Sequence, residues 1–286
     1  MSKRSLLSVV VALFLLSTAA AAEILRINGS TTVNAVVVEA AEILRTKKGM
    51  QIEVDTQGGS TGGISALADG RVQIAMISRP VTDEDKAKYP KIQFHPVAIG
   101  SDAVAVIVSR DVWEGGVKAL SRDQAQQIYE SKITNWKQVG GADRRIVFFN
   151  KEPGRGTWEV FVHWVYGDAK KAPSVSFPEV GANEETRAKV ASTRGGMSQL
   201  SSSWADNKQV FALGIKTDQG QVVRPDPAHI ADRSYPLSRT LAVVTNGEPK
   251  GAAKVMVDFL LSPEGQALVK KHGYLALADL RGKGKK

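Results

Sequence analysis

The sequence predicts an α/β fold in two lobes with a ligand cleft between them. Three observations carry the prediction. Short apolar runs alternate with helical patterns through the first third of the chain, with strands expected at Ile24–Ile27, Gln51–Asp55 and Gln73–Ile77. A second α/β unit opens after Val108, and apolar alternation returns at Ser238–Thr245, so the chain crosses between lobes near 108–111 and 235–239. Loops rich in Gly, Ser and Thr follow the strands, where an open α/β sheet holds its ligands.

At 286 residues the chain is long enough for a substantial core. Lys3-Arg4, the apolar run Leu6–Leu16 and Ala20-Ala21-Ala22 read as a cleavable secretory leader over residues 1–22. That apolar run is shorter than the ~20 residues a membrane span needs. With no cysteine there is neither a disulfide framework nor a lipid-anchor thiol, so the core must carry stability. The net charge is +9, part of it in a Gly-spaced tail at 281–286 expected to be disordered. A basic balance suits an anionic ligand or surface. Basic residues interleaved with aromatics, as a nucleic-acid partner would want, are not seen. One lobe is expected from residues 23–108 plus 239–280, the other from 109–238.

Each element has its own signal. A helix is expected over Thr31–Thr46, with Val33, Val36, Val37, Ala40, Ile43 and Leu44 on one face and Lys47-Lys48-Gly49 as its end. The loop Gln57–Gly63 leads into a short helix at Ile64–Ala68. Thr82 caps a helix at Asp83–Lys88. This half reads βαβαβα, with a mostly parallel sheet. Two extended runs follow, Ile92–Ile99 and Asp102–Val108, separated by Gly100-Ser101. The second is continuously apolar, as a strand covered on both faces is. The middle unit brings helices at Arg122–Tyr129, Trp158–Tyr166, Glu184–Ala191 and Met197–Ala205, the last capped from Arg194–Ser198. Its strands are expected at Ile146–Phe149, Gln209–Leu213 and Gln221–Val223. Trp158, Phe161 and Trp164 have core spacing. Ser238–Thr245 ends at the Asn246-Gly247 turn, and helices follow at Lys250–Leu261 and Pro263–Lys271, with Pro263 at the first helical position.

Four loops share one chemistry: Asn28–Thr32, Gly58–Gly63, Ser78–Arg79 and Asn150–Thr157. They offer hydroxyls, backbone N–H groups at helix starts, and Arg. A tetrahedral oxyanion accepts many hydrogen bonds and matches that set.

The motifs Gly29-Ser30-Thr31-Thr32-Val33, Gly58-Gly59-Ser60-Thr61-Gly62-Gly63, Ile74-Ala75-Met76-Ile77-Ser78-Arg79 and Pro153-Gly154-Arg155-Gly156-Thr157 resemble those of the phosphate-binding proteins of bacterial ABC transporters. Tyr235–Arg239, Phe259–Gln266 and Gly273-Tyr274 extend the resemblance over nearly the whole mature chain. It implies the type II periplasmic-binding-protein fold and capture of inorganic phosphate by a monomer in the periplasm. It also implies delivery to an ABC transporter permease at the membrane, with no cofactor, no metal and no catalysis. Carried over residue by residue, Ser30 and Thr31 would donate from the first helix, Ser60 and Thr61 from the second. Ser78 and Arg79 would close the same side. Asp102 would accept the proton of monohydrogen phosphate, which sulfate lacks; an unpaired buried acceptor costs about 1–3 kcal/mol, hence selectivity. Arg155, Gly156 and Thr157 would contribute from the middle lobe. This loop departs from the family pattern: Lys151 stands near the usual Arg, and Arg155 where Ser is expected. Arg155 either supplies the guanidinium from a new backbone position or fills space and shifts the ligand, and Arg and Lys are not interchangeable there. Arg239 is expected to support the interlobe crossing.

Two other functions fit parts of the chain. Gly58-Gly59-Ser60-Thr61-Gly62 is a literal G-x-S-x-G, the nucleophile elbow of serine hydrolases, with Asp226 or Asp258 and His229 or His272 as the partners to be found near Ser60. A phosphate scavenger or sensor acting without a transporter would share every binding residue. His95, His163, His229 and His272 are scattered, which argues against a metal site.

Overall fold

The computed structural model describes residues 24–280, so the expected leader (1–22) and basic tail (281–286) lie outside it. Strand β1 (Ile24–Gly29) runs into α1 (Thr31–Lys48). Ser30 caps that helix by accepting from Thr32 N and Val33 N, and Gly49 ends it in the left-handed conformation. Val33, Val36, Val37, Ala40 and Leu44 are buried along one face. Next come β2 (Gln51–Asp55) and α2 (Gly59–Ala68). This helix starts inside the glycine loop, five residues before the expected Ile64, because tertiary contact overrides weak helix propensity. A Cβ on Gly63 would lie 2.7 Å from Asn28 O, so only glycine lets α2 settle on β1. Then come β3 (Ile74–Ile77), α3 (Asp83–Lys88) with Thr82 in a capping box, and β4 (Phe94–Ser109).

β4 is the spine of the molecule. The two runs expected either side of Gly100-Ser101 form one strand, with a bulge at Ile99. Opposite that bulge, Leu241 pairs with Gly100 and Ala242 with Ala98. Every residue from Ile99 to Ser109 is buried.

Beyond it lie α4 (Arg110–Glu114), β5 (Ala119–Ser121), α5 (Arg122–Tyr129) and β6 (Val147–Lys151). They lead to α6 (Gly156–Tyr166), β7 (Glu179–Val180) and α7 (Asn183–Ser192). β8 (Gly196–Ser201) stands where a helix over Met197–Ala205 was expected, and Arg194-Gly195 leads into a strand rather than capping a helix. Met197 and Leu200 are three apart, which mimics a helical face. In a strand they point to opposite faces, and each packs into a different hydrophobic cluster. β9 (Val210–Ala212), β10 (Gly214–Lys216), β11 (Val222–Val223) and α8 (Pro227–Ala231) follow. The chain returns through β12 (Ser238–Asn246) and closes with α9 (Gly251–Leu261), α10 (Pro263–Lys271) and α11 (Leu277–Leu280).

One continuous sheet has the order β2-β1-β3-β12-β4-β8-β6-β7, with β9 also on β4; β11-β10-β5 form a small second sheet. β1, β2 and β3 are parallel, as the βαβ pattern requires, but β12 runs antiparallel to both β3 and β4. β4 serves both halves, since Phe94–Ala103 pair with β12 and Val104–Val108 with β8. One core draws on Leu25–Ile99 and Leu241–Ala276, the other on Ala103–Leu237. Phe161 is buried in the latter, with Trp158 and Trp164 packed against it. Full burial of side chains of this size contributes about 1.5–3 kcal/mol each, which a chain without disulfides needs. Among the described residues no helix is long and apolar enough to cross a membrane.

Candidate functional site

Three serines meet at the carboxyl ends of β1 and β3. Ser30 Oγ donates to Ser78 Oγ at 2.9 Å, and Ser78 N donates to Ser60 Oγ at 3.1 Å. All three are buried. Ser30 caps α1 and Ser60 lies in the first turn of α2. Neither helix has an acidic residue in its first turn, so the positive ends of both dipoles face this point uncompensated. Thr31 opens α1, but Thr32 is the residue whose hydroxyl faces the cluster's guanidinium.

That guanidinium belongs to Arg239 on β12. Its Nε and Nη2 donate to Asp102 Oδ2 at 3.1 and 2.7 Å. Nη2 also reaches Thr32 Oγ1 at 3.2 Å, while Nη1 reaches Ser78 Oγ at 3.3 Å and Thr157 Oγ1 at 3.0 Å. The Arg239 and Asp102 side chains are each only 1% exposed. Arg239 thus stands between Asp102 and the hydroxyls. The role expected for Asp102 was to receive a ligand proton; in this geometry its carboxylate holds Arg239.

The second half contributes the start of α6. A Cβ on Gly156 would lie 2.6 Å from both Ser60 Oγ and Ser78 Oγ, so glycine is what lets the α6 backbone reach the serines. Thr157 follows it in the same turn. The N-terminus of α7 arrives too: Asn183 Nδ2 donates to Thr32 Oγ1 at 3.2 Å, and Asn183 Oδ1 accepts from Lys151 Nζ at 3.2 Å. Lys151 Nζ also donates to Gly181 O and Ala182 O. Burial pushes its amine down to about 7, with the positive charges of Arg155 and Arg239 acting in the same direction.

Three residues expected around the ligand are engaged elsewhere, at the rim where the halves touch. Arg79 pairs with Asp85 of its own half and with Glu159 of α6. Thr61 Oγ1 donates to Glu159 at 2.8 Å and accepts from Arg79 at 3.0 Å, and Thr61 N donates to Gly154 O at 3.1 Å. Arg155 donates to Glu152 and, across the cleft, to Thr56 O at 3.2 Å. Burial raises the Glu159 carboxyl against the pull of Arg79 and Thr61. For Asp85 burial acts upward as well, but Arg79 and the Thr82 backbone hold it below the usual range. Arg155 therefore bridges the rim, while the central guanidinium comes from Arg239.

Arg239 and Asn183 were not expected in the site, and Thr32 only as the end of the loop Asn28–Thr32, with Ser30 and Thr31 named as its donors. One signal was available: Asp102 and Arg239 are opposite charges at the starts of two apolar runs of the sequence, and buried charges of that kind require each other. Asn183 carried no comparable signal. The hydrolase reading requires a histidine on Ser60. His229 instead bonds Asp226 at 2.7 Å, and His272 bonds Glu39 at 3.0 Å. Among the described residues, no group of three or more His, Asp or Glu is placed to hold a metal ion.

A family model described as a PBP superfamily domain matches residues 16–264. The phosphate-binding protein PstS of Bacillus subtilis is 30% identical over 259 residues, covering 90% of this chain and 82% of that protein. PstS of Borreliella burgdorferi is 27% identical over 268 residues, covering 89% and 90%. Among solved structures, one from Clostridium perfringens, described as a phosphate ABC transporter substrate-binding protein with bound phosphate, has a TM-score of 0.77 and 31% identity, covering 89% of this chain and all of that one. An ABC-type phosphate transport receptor from Vibrio cholerae has a TM-score of 0.69 and 27% identity, covering 88% and 99%. The architecture built above, with β4 shared between two halves, is therefore that of periplasmic binding proteins, and the chain belongs to the PBP superfamily and, within it, to the family of the phosphate-binding proteins PstS.

Proposed function

We propose that this chain captures inorganic phosphate, or a similar tetrahedral oxyanion, between its two halves and delivers it to an ABC transporter permease at the membrane. The observation that carries this reading is the convergence of Ser30, Ser60 and Ser78 from one half with Thr157 and the Gly156 backbone from the other around the Arg239 guanidinium. Neutral donors from the starts of α1, α2 and α6, the Ser78 hydroxyl after β3 and one guanidinium share the anion's charge in a water-excluded site. Lobe closure brings the two sets together, and the rim contacts of Glu159 and Arg155 hold them. The protein works as a monomeric receptor and not as an enzyme, and the basic–apolar leader at 1–22 directs it to the periplasm. Calorimetry on residues 23–286 tests the reading: one phosphate per chain is expected, with binding lost in Arg239→Ala. Absence of heat, together with an unmoved melting temperature in excess phosphate, would overturn it.

A further inference from the structure

Lys151, at the end of β6, is a buried cation that the binding cluster does not use. The residue is 1% exposed, and Nζ donates to three neutral oxygens: Gly181 O at 2.8 Å, Ala182 O at 3.2 Å and Asn183 Oδ1 at 3.2 Å. Three acceptors match the three N–H bonds of an ammonium. A neutral amine has two and turns its lone pair on the third oxygen. That third bond reaches the other half of the molecule. With Oδ1 held by Lys151, the Asn183 amide presents its NH₂ to Thr32 Oγ1 at 3.2 Å, and the same oxygen receives Arg239 Nη2 at 3.2 Å. Three hydrogen bonds in series therefore join Lys151 to the guanidinium at the centre of the cleft.

The charges around Lys151 leave its ammonium undercompensated. In the loop after β6, Arg155 is paired with Glu152, and Arg239 of β12 is paired with Asp102 of β4. β8 faces Lys151 with the neutral Gln199, and β7 sets Val180 beside it. On α7, Glu185 is already bonded to Gly181 N and Lys189. Burial, then the positive charges of Arg155 and Arg239, outweigh Glu185 and Glu184, so the amine is lowered to about 7. Because the charge on Arg239 is felt at Lys151, a dianion held by Arg239 is felt there with the opposite sign and favours the ammonium.

We infer that Lys151 is a positioning residue whose protonation is coupled to ligand capture: its ammonium fixes Asn183 on Thr32 across the cleft, and binding of a phosphate dianion draws a proton from the buffer onto Nζ in alkaline solution. The inference rests on the phosphate reading above and adds its dependence on pH. The Nζ lone pair takes the proton, the buffer acid gives it up, and no bond of the ligand changes. Coupling of this kind is reciprocal, so phosphate affinity falls as rising pH removes the proton.

The test is calorimetry of residues 23–286 with inorganic phosphate at about pH 8.5, in buffers of different ionisation enthalpy, which counts the protons taken up. Free phosphate is already the dianion there, so uptake reports on the protein. The parent is expected to take up close to one proton per phosphate, and its affinity to fall about three- to tenfold from about pH 8 to about pH 9. Lys151→Met is expected to bind more weakly, with no uptake and no change of affinity over that range. Lys151→Arg, which keeps its charge at every pH, is expected to show the same flat profile. Phosphate binding by the parent without uptake would overturn the inference and leave the phosphate reading standing. So would uptake that persists in both variants, since the proton then lands on the ligand or on another group. No phosphate binding at all would overturn both. The positioning role is read from Asn183→Ala: combined with Lys151→Met it is expected to bind within about threefold of Lys151→Met alone, whereas additive losses would overturn action through Asn183.

Discussion

Arg239 Nη1 donates to Thr157 Oγ1 at 3.0 Å, so a guanidinium carried by β12 is seated on the first turn of α6 in the opposite half of the molecule. The same side chain pairs with Asp102 on β4, the strand both halves share. A single residue thus ties the hinge strand, the three-serine cluster and the far lobe together.

Removing it should affect both binding and folding. Arg239→Ala leaves the Asp102 carboxylate buried without its partner, which typically destabilises by about 3–5 kcal/mol. Arg239→Lys keeps a charge but cannot donate to Asp102, Thr32 and Thr157 together, so it should melt close to the parent while binding phosphate at least about tenfold more weakly. Thermal melts and calorimetry on the two variants check this.

Gly156 should be intolerant for a reason confined to closure. A Cβ there meets Ser60 Oγ and Ser78 Oγ at 2.6 Å, both in the other half, so Gly156→Ala obstructs the approach of the lobes and leaves each core intact. We expect an unaltered unfolding midpoint without phosphate and a loss of affinity of about tenfold or more. A normal affinity would mean that the α6 backbone does not approach the serines when ligand is bound.

The rim residues should govern release. Arg155→Ser removes the contact with Thr56 O, and Glu159→Ala removes those with Arg79 and Thr61. Because neither side chain reaches the central cluster, each is expected to weaken phosphate only about three- to tenfold, through faster dissociation with little change in association. Stopped-flow measurement of both rates distinguishes this from a direct ligand role for Arg155, which would abolish binding.

Lys151 makes stability depend on pH in a defined window. The unfolded chain keeps this proton up to the ordinary value of 10.5, while the folded chain releases it near about 7. Between those values the unfolded state binds more protons, so raising the pH favours folding. From about pH 7 to pH 9 this residue should add at most about 2–3 kcal/mol of stability, and below about pH 7 it adds no further change. Urea unfolding of the parent and of Lys151→Met at the two pH values isolates the effect as the difference between them.

How much of this was legible in the sequence differs by residue. Ser30 and Thr82 announce themselves as caps because capping is local: the oxygen and the N–H groups it receives lie within three residues. The valine face of α1 and the apolar length of β4 are equally local, since periodicity is fixed by backbone geometry. β8 was misread because spacing of three is ambiguous between one helical face and two faces of a strand, and only the presence of β4 and β6 on either side decides it.

The sequence by itself determined the alternation of strands and helices, the helix starts that end in Ser or Gly, and the chemistry gathered there: hydroxyls and N–H groups suited to an oxyanion. Only the tertiary structure decided which cations face that point. Arg155 lies beside the right motif yet bonds the rim, and Arg239 is 82 residues from Thr157 yet touches it. The physical reason is that a charged side chain follows its strongest available partner. For a buried guanidinium that partner is a carboxylate, here Asp102, brought next to it by the antiparallel register of β4 and β12, which no local pattern encodes.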